Sequence, residues 1–162
     1  MLRFALCSLV LLLWQASTAT AQTPSWCAGV DKTQVGALLG GTAPAPKQSG
    51  PQKDDDAGGV TTMCLFPAGQ KVVMTMRIEF TSAAEAQKKV SADWLKKNVE
   101  AAATYAEEKG IGDRAFWAVS SDGASSIILK GNKLYVAVLG PGKDAAAQKP
   151  GLLKLAQSLI GS

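Results

Sequence analysis

The sequence predicts an α+β fold: an antiparallel sheet of about five strands with helices packed on one face, a two-layer sandwich. Three observations lead there. Segments of period two follow one another through links of hairpin length, which join antiparallel neighbours. Each helical segment carries a single apolar stripe, which must be buried against a partner, and a sheet face supplies one. The 141 residues that follow a leader at residues 1–21 of the 162-residue chain are enough for one domain, not two.

The leader comes first. Met1-Leu2-Arg3 puts one positive charge before an apolar run, Phe4 to Trp14, that only Ser8 interrupts. A run of 11 residues is too short to span a bilayer, which takes about 20. Ala19-Thr20-Ala21 then offers the small side chains that a signal peptidase accepts, so the cut is expected before Gln22. Cys7 lies inside the apolar run and leaves with it. No later stretch approaches membrane length, so no transmembrane segment is expected after signal removal. Without Arg3 the formal charge falls from +4 to +3. The lysines are scattered and do not gather on one basic face, so nucleic acid is not an expected partner.

Two cysteines remain, Cys27 and Cys64. An isolated pair in an exported chain is most simply a disulfide. Val30 to Gly40 reads as a short helix, capped by Asp31 with Gln34 as its reciprocal partner and stopped by Gly40-Gly41. Gly41 to Gly59 holds three prolines and four glycines and no large apolar residue. It reads as a flexible loop inside a single domain spanning 22–162. Asp54-Asp55-Asp56 within it reads as a solvated charge run, since a calcium site needs more oxygens and a defined turn. Val60 to Phe66 and Lys71 to Phe80 read as strands around a Pro67–Gln70 turn. In the second, Val72, Met74, Met76, Ile78 and Phe80 alternate with Val73, Thr75, Arg77 and Glu79. Ser82 to about Val99 reads as a helix that opens on a Ser82–Glu85 capping box. Gly110-Ile111-Gly112-Asp113 reads as a tight turn in which Asp113 bonds the local backbone, followed by a strand through Arg114-Ala115-Phe116-Trp117. Ala124–Lys130 and Lys133–Leu139 make a hairpin about Gly131-Asn132. A last helix runs from about Pro150 to Ile160 with Leu152, Leu155, Ala156, Leu159 and Ile160 as its buried stripe.

The composition also excludes chemistries. The chain has no histidine, which removes Ser–His and Cys–His catalysis and every histidine-containing zinc or haem site. No Ser-x-x-Lys occurs. The expectation is a protein that is not an enzyme, with no cofactor and no metal.

Several features together resemble a known family: the early Cys27, the helix end Leu38-Leu39-Gly40, and Cys64 followed by Leu65-Phe66. The turn Gly110-Ile111-Gly112-Asp113-Arg114-Ala115 and the strand Leu134-Tyr135-Val136 complete the set. Their order resembles exported bacterial domains of small surface lipoproteins, a family related to the extracellular sensor domain of some bacterial serine/threonine kinases. The chain departs from the lipoprotein pattern in having no lipid-attachment cysteine at the cleavage site. The resemblance implies an α+β sandwich and a non-enzymatic binding or sensing role, and it names no ligand.

Two functions follow as expectations. One is an exported, periplasmic or secreted binding or sensor-like domain that recognises an envelope ligand or a protein. The alternative is an inhibitor or immunity-type protein that binds an exported enzyme. An apolar pocket with a few polar groups favours the first; a protruding loop or flat aromatic patch favours the second. The candidate binding surface is Asp113, Arg114, Phe116 and Trp117, because Arg and Trp are common interface anchors. Period two puts the two rings on opposite sheet faces, and packing of both inside is the competing expectation.

Overall fold

The computed structural model describes residues 25–91, 93–94, 104–141 and 145–161. The expected leader and its cleavage site lie outside them. The described residues form one antiparallel sheet of seven strands with three α-helices. In chain order these are α1 (Lys32–Leu39), β1 (Lys47–Asp54), β2 (Gly59–Ala68), β3 (Lys71–Glu79) and α2 (Ala83–Lys89). Then follow β4 (Thr104–Glu108), β5 (Arg114–Ser120), β6 (Gly123–Lys130), β7 (Lys133–Gly140) and α3 (Lys149–Ser158). The sheet order is β1-β2-β3-β7-β6-β5-β4. Two meanders, β1-β2-β3 and β4-β5-β6-β7, meet where β3 pairs with β7, Met76 opposite Val136.

The expected strand count was about five, and the two strands it lacked are the two edges. β1 lies in the segment read as a flexible loop. It reads Lys-Gln-Ser-Gly-Pro-Gln-Lys-Asp and pairs with β2 from Lys47 opposite Leu65 to Asp54 opposite Gly59. The register shifts between Ser49 and Gln52, around Gly50-Pro51, where a proline without an N–H fits only an edge or a bulge. Polar side chains on a strand with one free edge bury little, so the hydrophobic pattern that marks inner strands is missing here.

Helices pack on both faces, which corrects the two-layer expectation. Pleating sends alternate residues to opposite sides. On one side Cys64, Phe66, Val73, Trp117, Ile128, Tyr135 and Leu139 meet Val35 and Leu38 of α1 and Leu152, Leu155 and Ala156 of α3. On the other side Ile78, Phe116, Ile127, Leu129, Leu134 and Val136 meet Ala86 of α2 and Val90 just beyond it.

The helix ends follow the local chemistry. The Asp31 carboxylate accepts from the backbone N–H groups of Thr33 and Gln34, and Gly40 closes α1 in the left-handed region at φ 80°. Ser82 Oγ accepts from Glu85 N at 3.1 Å to start α2. That helix ends at Lys89, and helix resumes at residues 93–94, so the expected single helix is interrupted at Val90-Ser91. Ser91 Oγ accepts from Trp94 N, the N-cap pattern for the helix that resumes at 93–94, and Arg114 Nη1 donates to the Val90 carbonyl at 2.9 Å. Most of the remaining predicted helix, 95–99, lies outside the described residues.

Cys27 and Cys64 form a disulfide, with Cα atoms 5.6 Å apart. It ties the 3-10 turn Trp26–Gly29 to β2 across a sequence separation of 37. Closing such a loop restricts the unfolded chain by about 4 kcal/mol on the chain-entropy account. Arg77 lies over the Trp26 ring, 5.4 Å from its centroid, and helps hold the turn in place.

Candidate functional site

The four residues expected to form a binding surface are not brought together as one. Phe116 and Trp117 are both buried, 5% and 7% exposed, in the clusters on opposite faces. Arg114 turns back on its own strand: its guanidinium stands 4.7 Å from the Phe116 centroid and pairs with Glu107 at 3.3 Å. Asp113 reaches into a neighbouring turn. Its carboxylate accepts from Gly131 N at 2.6 Å and Lys130 Nζ at 3.0 Å. Those two donors hold its pKa below the ordinary carboxylate value, the Gly131 N–H first and Lys130 second. The turn is as expected, with Gly110 and Gly112 at positive φ. The bond, however, crosses to the β6–β7 hairpin and does not stay local. These residues fasten turns and fill the core.

The concave site lies elsewhere, on the α2 face. Three rows of side chains cross that face. Ile78, Leu134 and Leu129 form the first, with Arg114 at its end; Met76, Val136, Ile127 and Phe116 form the second; Met74, Val138, Ser125 and Ala118 form the third. α2 has only 7 residues, about 10 Å of helix, and it joins the cluster of the first two rows through Ala86. The third row contains the two smallest side chains, Ser125 and Ala118. The result is a cavity of about 470 Å³, within the range of small-molecule sites.

Its floor is Met74, Met76, Ile127, Val136 and Val138, with Ile78 at one end and Trp94 contributing an aromatic wall. Polar groups sit at its margins. Asp54, Asp56 and Ala57 come from the β1–β2 connection; Ser120, Asp122 and Gly123 come from the β5–β6 connection. These two connections lie at opposite ends of the sheet, since Asp54 is opposite Gly59 at the β3 C-terminal end whereas Ala124 is opposite Leu139. Asp54 is oriented by Ala57 N at 2.9 Å and faces the Thr61 hydroxyl at 3.4 Å. The Asp122 carboxylate accepts from the Ser121 hydroxyl at 3.3 Å.

Sequence reasoning saw parts of this site without seeing the site. The Met74/Met76 alternation was read as core and is half-buried cavity floor; Asp54-Asp55-Asp56 was read as a solvated run. The available signal is the small residues Ser125 and Ala118 on inner strands, two and three strands from Met74. It became readable only once the register placed them in one row. Among the described residues there is no group of three or more metal-ligating side chains, and no helix long and apolar enough to cross a membrane.

No protein-family model matches the chain, and no curated protein does. Among solved structures, it is similar to the extracellular domain of PknH from Mycobacterium tuberculosis. Identity is 16%, the match covers 83% of this chain and 94% of that one, and the TM-score is 0.46.

Proposed function

We propose that the protein is an exported, non-enzymatic binding domain, sensor-like in use, whose ligand occupies the cavity on the α2 face. The observation that carries the reading is the cavity itself: about 470 Å³, apolar in its floor and polar at its margins. Export is supported by the leader pattern and by the Cys27–Cys64 disulfide, a bond that persists in oxidising compartments. The absence of histidine from the chain supports binding over catalysis. The inhibitor alternative asked for a protruding loop, and the segment that promised one is largely the paired strand β1.

A neutral apolar dye, N-phenyl-1-naphthylamine, tests the reading. The protein should bind it saturably, one per chain, with a rise in dye fluorescence. Ser125→Phe, which places a ring in the third row, should abolish that binding while leaving the circular dichroism spectrum unchanged. Binding unaffected by Ser125→Phe would place the dye elsewhere and remove the support.

A further inference from the structure

We propose that the ligand is a cationic amphiphile: an apolar body carrying an amine or ammonium group. This rests on the reading of the cavity as a ligand site and adds the chemistry of the occupant. The apolar floor selects the body. Met74 and Met76 are unbranched and polarizable, so they adapt to a chain or ring of irregular shape.

The margins select the head. The described lining holds three carboxylates, Asp54, Asp56 and Asp122, and no lysine or arginine. The ion pairs among the described residues are Lys53–Asp55, Arg114–Glu107, Lys130–Asp113 and Lys149–Glu108. None of them uses a lining carboxylate. The imbalance is local and runs against a chain whose formal charge is +4, so it is not a general property of the surface. Lys89 packs near Gly58 in the β1–β2 turn without pairing with Asp54 or Asp56. Asp56 and Asp122 are exposed and Asp54 is half-buried, so they draw a cationic head to the cavity margins as solvated charges that salt screens.

Three probes with the same ten-carbon chain separate the contributions: decyltrimethylammonium, decyl sulfate and 1-decanol. Each is titrated calorimetrically, below its micelle or solubility limit, into protein recovered after export. The cationic probe should bind at least about tenfold more tightly than the other two, and its advantage should shrink with added salt. Asp56 and Asp122 lie at opposite ends of the sheet and one head meets only one of them, so one of Asp56→Asn and Asp122→Asn alone should remove most of that advantage, and the double variant should remove it while leaving 1-decanol binding in place. Ser125→Phe and Val138→Phe should each abolish binding of all three probes. If the three probes bind equally and depend only on Ser125 and Val138, the cavity reading stands and the cationic head is wrong. If no probe binds, or none responds to the filling variants, both fall.

Discussion

Asp113 ties together two turns that are distant in sequence, and its titration should be visible in stability. Its folded pKa lies below the ordinary value of 3.8, so its contribution is complete above the unfolded pKa and is lost as pH falls through the folded one. Asp113→Asn should therefore cost about 0.5–1 kcal/mol at neutral pH. The gap in melting temperature between variant and parent should close on acidification below about pH 4. A gap that stays constant to pH 2 would mean that the carboxylate charge is not what holds the turns. Trp117 has a different role. It is buried beneath α3, with Lys149 6.0 Å from its ring centroid, and Trp117→Ala should cost about 3–5 kcal/mol. Arg114→Ala, which removes a partly exposed pair, one bond to the Val90 carbonyl and a ring contact, should cost about 1–2 kcal/mol. Equal losses in thermal denaturation for the two variants would contradict this division between core and fastening.

Elements were legible from sequence in proportion to how much apolar surface they bury. β5, β6 and β7 announce themselves by near-continuous apolar runs because both sheet faces are covered there, and β3 by its alternation. β1 and β4 do not, because Lys-Gln-Ser-Gly-Pro-Gln-Lys-Asp and Thr-Tyr-Ala-Glu-Glu bury almost nothing; only register with β2 and β5 makes them strands. α1 was legible through Asp31 and Gly40, local signals that need no tertiary context. The break after α2 places the Val90 carbonyl on Arg114, which comes from a strand 24 residues further on, so the apolar period alone does not report it. The turn before β5 separates two kinds of glycine. At Gly110, φ is +80° with open space around it; at Gly112, φ is +61° and an added methyl carbon would lie 2.6 Å from the Leu129 carbonyl oxygen. Gly110→Ala should cost about 1–2 kcal/mol, for the left-handed backbone alone. Gly112→Ala should cost at least about 3 kcal/mol, for strain plus collision. Chemical denaturation orders the two, and an equal cost would show that the β6 backbone gives way.

At the scale of the molecule, one sheet carries two unequal layers. The α1–α3 layer, fastened by the disulfide, covers its face with long apolar side chains. On the α2 face the described residues line a cavity over the row of Met74, Val138, Ser125 and Ala118. That inequality is why the functional candidate was hidden. Residue chemistry points to Arg114 and Trp117, whereas the concavity lies over small side chains that only the strand register brings into one row. Three methionines follow the predicted cleavage site, Met63, Met74 and Met76, and two of them line the cavity. The most direct measurement is therefore a methyl NMR spectrum of protein labelled at methionine and leucine, titrated with an apolar ligand carrying a nitroxide. The account predicts that the Met74 and Met76 methyl signals broaden first and that Leu152, on the opposite face, is untouched. Broadening that begins at Leu152, or that spares Met74 and Met76, would contradict it.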